Sequence, residues 1–329
     1  MDGSIKNSPP DALFPSVSRR ILVHPEHPNL LNKVTPWELD FRQMGPGDLQ
    51  SEVIVHGGAD CMVSRIRMNC AVHQTGAPPP GCLTFGIPDV DGLDSWQARD
   101  LPRDPLLSFG AATGFDSCSN ERHVGLTLAF SETALTDFAC RVGQELPESA
   151  YLTHLFEPAE QMKRLEHLKQ KLKGLLKRED VIWTEPLFEH LALDVFVIMC
   201  GAETEYDDRP LRNRRYVLGK AIELMDISQE NVIQISKLCA EVGTSWRTLN
   251  RAFLDEFGFG PKTYFNRLRL NSVRLEFLRA EGKTSVTDAA NRFDFWHMGQ
   301  FAKDYSKLFG ERPSDTLHRI TTQDDPGWR

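Results

Sequence analysis

No run of apolar residues in this 329-residue chain approaches the roughly 20 that a membrane-spanning helix needs. Cysteine is sparse and without pattern. The seven, at positions 61, 70, 82, 118, 140, 200 and 239, are scattered, odd in number and never spaced Cys-x-x-Cys. That argues against a disulfide framework or a zinc knuckle and for reduced thiols. The first ten residues lack the apolar core of a signal peptide, so a cytoplasmic protein is expected. Catalytic signatures are missing as well. There is no Gly-x-Ser-x-Gly elbow, phosphate loop or Gly-x-Gly-x-x-Gly turn, and His56, His73 and His123 stand alone with no His-x-His pair. No enzymatic activity, cofactor or metal is expected on these grounds.

What the chain has is an ordinary globular balance, 40% apolar and 26% charged, with charge unevenly spread. The net charge is −8. Yet Arg209 to Ile320 holds 19 Lys and Arg against 13 Asp and Glu, a net of +6, which leaves −14 on the rest. A basic module joined to an acidic one is compatible with a nucleic-acid reader attached to a regulatory domain.

The basic part contains the most legible stretch, residues 231–258. Asn231, with Gln234 three residues on, forms a capping-box pattern; Ile235, Leu238 and Val242 then make one apolar stripe. Gly243 suits a helix C-terminus that needs positive φ, and Thr244 or Ser245 caps a second helix. Leu249, Phe253 and Phe257 give that helix a buried side, and Arg247, Asn250 and Arg251 lie on its other side. Two helices, a tight glycine turn and a polar, basic second helix predict a helix-turn-helix.

A second copy follows. A shift of 52 residues carries Leu249, Phe253, Phe257-Gly258 and Pro261 onto Phe301, Tyr305, Phe309-Gly310 and Pro313. A shift of 51 carries Ile235, Leu238, Cys239, Val242 and Gly243 onto Val286, Ala289, Ala290, Phe293 and Asp294. Between the copies, Pro261 to Ala280 predicts one long helix, with proline at its first position and Tyr264, Leu268, Val273, Leu275 and Leu278 supplying buried contacts.

These residues carry a family resemblance. Ser245-x3-Leu249-Asn250-Arg251-x-Phe253, then Phe257-Gly258-x2-Pro261-x2-Tyr264-x2-Arg267-Leu268-Arg269-Leu270, then Phe301-x3-Tyr305-x3-Phe309-Gly310-x2-Pro313 resembles the DNA-binding domain of the AraC/XylS family of bacterial transcription regulators. The resemblance covers about residues 215–320. The chain departs from the family pattern at Asp294, where members usually carry Gly, and in the bulkier start of Trp296-His297-Met298-Gly299-Gln300. Asp tolerates a left-handed turn better than most residues.

Upstream, the pattern turns β between about Val34 and Phe130. Met62, Ser64, Ile66 and Met68 alternate with Val63, Arg65 and Arg67, and Val124, Leu126, Leu128 and Phe130 alternate again. Residues 1–35, with five prolines, read as a loose lead-in. Met162, Leu165, Leu168, Leu172 and Leu175 mark one later helix, and Leu187, Leu191, Val195 and Ile198 another. This pair either covers the β region or forms a dimer interface.

The expected fold class is therefore α+β. Residues 1–200 form the N-terminal domain, and the resemblance favours its 158–200 helices as a dimer interface. Residues 201–212 form a linker, 213–320 an all-α domain of two helix-turn-helix motifs joined by a linker helix, and 321–329 a tail. The resemblance implies that residues 1–200 are a cupin-like β-barrel with flanking helices that binds an effector or mediates dimerisation. It implies a sequence-specific regulator that binds double-stranded promoter or operator DNA, works as a homodimer under a small-molecule effector and, if an activator, contacts RNA polymerase. An N-terminal domain that only dimerises is the alternative, and an enzyme fused to such a reader a further one.

The expected base-reading residues are Arg247, Asn250 and Arg251 in the first motif. In the second they are His297, Met298, Gly299, Gln300 and Lys303. Arg267, Arg269 and Lys307 are candidates for phosphate contact, and Arg65, Arg67, His73 and Trp96 for effector contact.

Overall fold

The computed structural model describes residue 14 and residues 18–23, 37–88, 93–102, 104–110, 114–179, 181–202, 209–231, 233–280 and 283–322. Most of the expected lead-in, the middle of the expected linker and most of the tail lie outside the described residues. The chain opens with strands β1 (Ser18–Val23), β2 (Glu38–Gln43), β3 (Ser51–Gly57), β4 (Cys61–Met68), β5 (Val72–Ala77) and β6 (Cys82–Pro88). Strands β7 (Leu93–Trp96), β8 (Arg99–Asp100), β9 (Leu106–Phe109), β10 (Phe115–Ser119) and β11 (Val124–Ser131) follow. Helix α1 (Glu132–Arg141), strand β12 (Thr153–Phe156) and helices α2 (Met162–Leu176) and α3 (Glu185–Cys200) complete this half. Strand β1 falls within the stretch read as a loose lead-in, and it pairs antiparallel with β3.

The strands do not close into a barrel among the described residues. They form two open sheets, ordered β1-β3-β4-β11-β6-β9-β12 and β2-β5-β10-β7-β8. The reason lies between them. Trp37, Trp96, Phe109 and Phe115 pack edge-on or stacked in one apolar layer with Phe41, Val53, Val55, Met62 and Leu155. Rings of this size fill the gap between facing sheets, and the alternation read in the sequence assigns a layer to each strand face. On β4, Met62 and Met68 face the aromatic layer. On β4 and β11, Val63, Leu126, Leu128 and Phe130 belong to a second core on the other side of the larger sheet. There Leu165, Leu168 and Leu172 of α2 and Leu191, Val195 and Ile198 of α3 cover it. Each fully buried leucine contributes roughly 1.5–3 kcal/mol.

The second half is helical: α4 (Arg209–Ile227), α5 (Ile235–Val242), α6 (Trp246–Phe257), α7 (Pro261–Arg279), α8 (Val286–Arg292), α9 (Met298–Phe309) and α10 (Pro313–Thr322). Helix α4 went unread in the sequence, although Val217, Leu218, Ala221, Ile222 and Met225 are spaced for one buried face. The boundaries inside the repeat follow the local chemistry. Ser245 accepts a hydrogen bond from the Thr248 backbone N–H (3.2 Å) and so caps α6; Pro261 opens α7. Asn231 does not cap α5, whose N-cap is Gln234 without a side-chain bond. Gly243, at φ 75°, and Asp294, at φ 61°, both turn left-handed between the helices of their motifs.

Helix α7 serves two cores. Tyr264, Phe265 and Leu268 enter the core of the first motif with Leu238, Val242, Leu249 and Phe253. Leu270, Val273 and Phe277 enter the core of the second with Ala289, Phe293, Phe301 and Tyr305. At about 1.5 Å per residue, its 19 residues span about 28 Å, which sets the distance between motifs.

Gly258 and Gly310 end α6 and α9 at φ 73° and 74°, and their surroundings differ. A methyl on Gly258 would meet nothing within 4 Å, whereas one on Gly310 would lie 3.1 Å from the Asp48 backbone nitrogen. Gly258→Ala should therefore cost about 1–2 kcal/mol, the left-handed penalty alone. Gly310→Ala should cost more and loosen the loop before β3. Urea unfolding of the two variants checks the order.

Candidate nucleic-acid interface and the sheet behind it

In the first motif, the side of α6 away from its core carries Trp246, Arg247, Thr248 and Arg251, all exposed. Arg251 is 78% exposed and pairs with Asp255 one turn on (2.8 Å). An exposed i,i+4 pair of this kind is worth a few tenths of a kcal/mol, so the guanidinium is readily exchanged to another acceptor. Asn250 is half-buried, with its side-chain oxygen against Gly260 at the turn into α7.

In the second motif, His297, Gly299, Gln300 and Lys303 are exposed and Met298 is half-buried. Gln300 donates to Asp304 at 2.8 Å. Gly299 faces open space. Trp296, noted in the sequence as a bulky start but not counted among the expected base readers, is 67% exposed at the entry to α9, where its indole N–H donates to Asp294. Trp246 opens α6 and is 45% exposed. Large exposed aromatics at the starts of both recognition helices were the available signal.

The three phosphate candidates separate. Lys307 is exposed in the last turn of α9. Arg267 is half-buried; its guanidinium lies 4.0 Å from the Phe259 ring and donates to the Met44 carbonyl. Arg269 lies 4.4 Å from the Phe295 ring and donates to the Phe293 carbonyl at 3.2 Å. Burial pulls the pKa of both below the usual guanidinium range. In this arrangement both arginines are occupied within the protein.

The effector candidates also separate. A cavity of about 90 Å³ lies between the two sheets, and Trp96 lines it with Trp37, Phe109, Phe115, Gln74 and His123. Arg65, Arg67 and His73 do not. Arg65 pairs with Glu52 across β3 and β4 (2.7 Å), and Arg67 is exposed. His73 is fully buried on the far face of the smaller sheet, because neighbours along a strand point to opposite faces.

That far face is where the two halves meet. Arg42 on β2 is paired in register with His73 on β5, His73 with Cys118 on β10, and Cys118 with Ser95 on β7. This polar row lies under the helical half. Arg42 pairs with Asp226 of α4 (3.0 Å) and donates to the Tyr264 hydroxyl of α7 (3.3 Å). The Tyr264 oxygen lies 2.8 Å from His73 Nδ1, and His73 Nε2 lies 3.1 Å from Asp116. Ser95 donates to Glu256 of α6, which also pairs with Arg214 of α4 (2.8 Å). Burial pushes the Glu256 carboxyl and the Tyr264 phenol up. His73, Asp116 and Cys118 bring three ligand-capable atoms within 4.8 Å of one another. Both ring nitrogens of His73 are already taken up by Tyr264 and Asp116, so the polar row accounts for the grouping.

A second tie is made by an amide. Asn271 of α7 accepts from the Gln43 backbone N–H and donates to the Gln43 carbonyl, both at 3.0 Å. Gln43 in turn donates from its side chain to the Leu308 carbonyl of α9 at 2.9 Å.

At the outer end of α7, Arg274 and Arg319 converge on Glu311 at 2.9 and 2.6 Å, with the Thr316 hydroxyl at 2.8 Å. Burial alone would raise the Glu311 carboxyl, but the Thr316 hydrogen bond and the two guanidiniums outweigh it and the net shift is downward. A lowered folded-state pKa means stability present above the unfolded value and lost as pH falls through the folded one. Wild type should therefore exceed Glu311→Gln in urea midpoint at neutral pH, with the gap closing below the ordinary glutamate value of 4.5.

A family signature described as "Helix-turn-helix domain" matches residues 238–319. The chain is 29% identical over 127 residues to the probable thc operon regulatory protein of Rhodococcus erythropolis, covering 37% of this chain and 38% of that one. It is 31% identical over 101 residues to XylDLEGF operon transcriptional activator 3 of Pseudomonas putida, covering 30% of each. A crystal structure of a probable AraC family transcriptional regulator from Rhodopseudomonas palustris CGA009 shares 34% identity, covers 32% of this chain and 96% of that one, and has a TM-score of 0.30. The chain thus spans about a third of the length of the curated relatives it matches.

Proposed function

Because the chain belongs to the AraC/XylS family of bacterial transcription regulators, we propose that it is a sequence-specific DNA-binding regulator whose two recognition helices, α6 and α9, read double-stranded DNA. The observation that carries this reading is the exposed polar face of α6. Arg247 and Arg251 stand free of the core there, and Asn250 lies between them at the edge. Arginine makes paired hydrogen bonds to guanine and asparagine to adenine. The rigid helix α7 between the motifs suits entry into two successive major-groove segments on one face of the duplex, one turn of about 34 Å apart. Gly299 adds no side chain to α9, so its motif reads shape and methyl groups through Met298, with Lys303 available to a guanine edge or a phosphate. Lys307 is the phosphate contact this geometry favours.

The N-terminal half, in this reading, holds a small-molecule effector between its sheets and supports a homodimer through α2 and α3, where Leu193 is 40% exposed. The smaller sheet is a wall one residue thick between the cavity and the DNA reader. Phe41, Gln74, Trp96 and Ser117 line the cavity. Their chain neighbours Arg42, His73 and Ser95 make polar contacts with α4, α7 and α6, and Asp116 holds His73 from within the sheet. An occupant that shifts one face of a strand shifts the other, which gives effector binding a route to the posture of both motifs.

The test is binding of the purified full chain to the DNA upstream of its own and neighbouring genes across a salt series. Retention of one sequence over unrelated DNA at moderate salt is the expected result. Sequence-indifferent binding that disappears with modest salt would sink the proposal.

A further inference from the structure

We infer that the cavity between the sheets takes a small, uncharged, largely apolar molecule carrying a single hydrogen-bond acceptor such as a carbonyl oxygen. This rests on the reading that the N-terminal half binds an effector, and it adds what kind.

Three observations carry it. The first is size. About 90 Å³ is small beside the roughly 300–1,000 Å³ of drug-sized sites and favours a small occupant of about one ring. The second is the wall. Trp37, Phe109 and Phe115 sit at ring separations of 4.8–6.1 Å, edge-on to one another, and favour a flat apolar guest.

The third is the polar content of that wall. Gln74 is 7% exposed and Trp96 is 2% exposed. The side-chain nitrogen of each is buried and, among the described residues, has no hydrogen-bond partner. Buried N–H groups are nearly always paired, and leaving one unpaired is costly. Both of these are donors, so the group that satisfies them is an acceptor. The cavity's polar side chains are Gln74, Trp96, Ser64, Ser117, Thr127 and His123, and no described lining residue is Lys, Arg, Asp or Glu. A carboxylate placed there would give up its hydration without a guanidinium or ammonium to replace it, whereas a neutral carbonyl loses far less.

Three monosubstituted benzenes separate the possibilities: methyl benzoate (neutral, with an acceptor), benzoate (anionic) and toluene (no acceptor). Each is titrated into the full chain by thermal shift and tryptophan fluorescence. Methyl benzoate should bind about tenfold more tightly than toluene, and benzoate more weakly than the ester. Gln74→Leu should remove part of the ester's advantage while leaving toluene unchanged, which also shows that the variant's cavity is intact. Trp96→Phe, which keeps a ring and removes the other donor, should weaken the ester in the same sense. Tighter binding of benzoate, equal binding of toluene and ester, an ester preference undiminished by Gln74→Leu, or no binding of any probe overturns the inference. The regulatory reading is scored separately by repeating the DNA titration with saturating ester. Ester binding with unchanged DNA affinity would leave the ligand class standing and remove the effector role.

Discussion

Asn271→Leu should lower the unfolding free energy by about 2–5 kcal/mol, although it removes no charge and almost no volume. Asn271 is 4% exposed, and its amide satisfies both the N–H and the C=O of Gln43 at the end of β2. It also donates to the Arg267 carbonyl one turn back at 2.8 Å. Leucine fills the space but leaves the two Gln43 groups unpaired in a buried setting, at roughly 1–3 kcal/mol each. The side chain in effect extends β2 with one more hydrogen-bonding partner, drawn from a helix that lies 228 positions away in the chain. The loss should appear as a lower urea midpoint and as faster amide exchange at Gln43 and at the neighbouring Gly47 N–H, which bonds to the Leu308 carbonyl at 2.9 Å. A change below about 0.5 kcal/mol would mean that β2 and α7 are not docked in solution, and the wall between cavity and DNA reader would lose its transmitting contact.

That contact illustrates what the sequence could and could not disclose. The helical half was legible because its signals are local. Ser245 caps the helix it precedes, Pro261 starts one, and Gly243, Gly258 and Gly310 stop three, each through its own backbone chemistry. The duplication then supplied an internal check, since Phe253 and Tyr305 bury the same side of their two helices. Alternation in β4 and β11 announced strands for the same reason. Which sheet a strand joins is not local. Strands β2 and β3 are neighbours in the chain yet belong to different sheets, so a barrel and a two-sheet stack present the same pattern to a reader of periodicity.

The same limit governs the side chains. Arg267 and Arg269 sit on a basic helix at spacings that suit phosphate contact. Only the packing of Phe259 and Phe295 beneath them shows that both guanidiniums are engaged inside the protein. His73 looked like a polar liner of a β domain. Parity along β5 puts it on the opposite face from Gln74, against Tyr264, and so on the side of the DNA reader. One residue of register decides between lining the cavity and touching the helical half.

Arg251→Ala should weaken binding to the preferred DNA by about 1–3 kcal/mol, roughly tenfold to a hundredfold, and should flatten discrimination at one base pair. The free-state partner of Arg251, Asp255, sits one turn away at an exposed position, so removing the arginine costs the fold little. That makes the variant a clean probe, since a drop in affinity with an unchanged melting temperature belongs to the interface. Lys307→Ala is the natural contrast. If Lys307 meets a phosphate, its loss should weaken all sequences alike and reduce the salt slope by about one ion, with discrimination intact. The two variants therefore fail in different ways. A loss of specificity from Arg251→Ala, beside a uniform loss from Lys307→Ala, assigns α6 to the bases and the end of α9 to the backbone. Equal, sequence-blind losses from both would reduce α6 to one more basic surface, and the exposed Arg247 and Arg251 face would no longer support a reader.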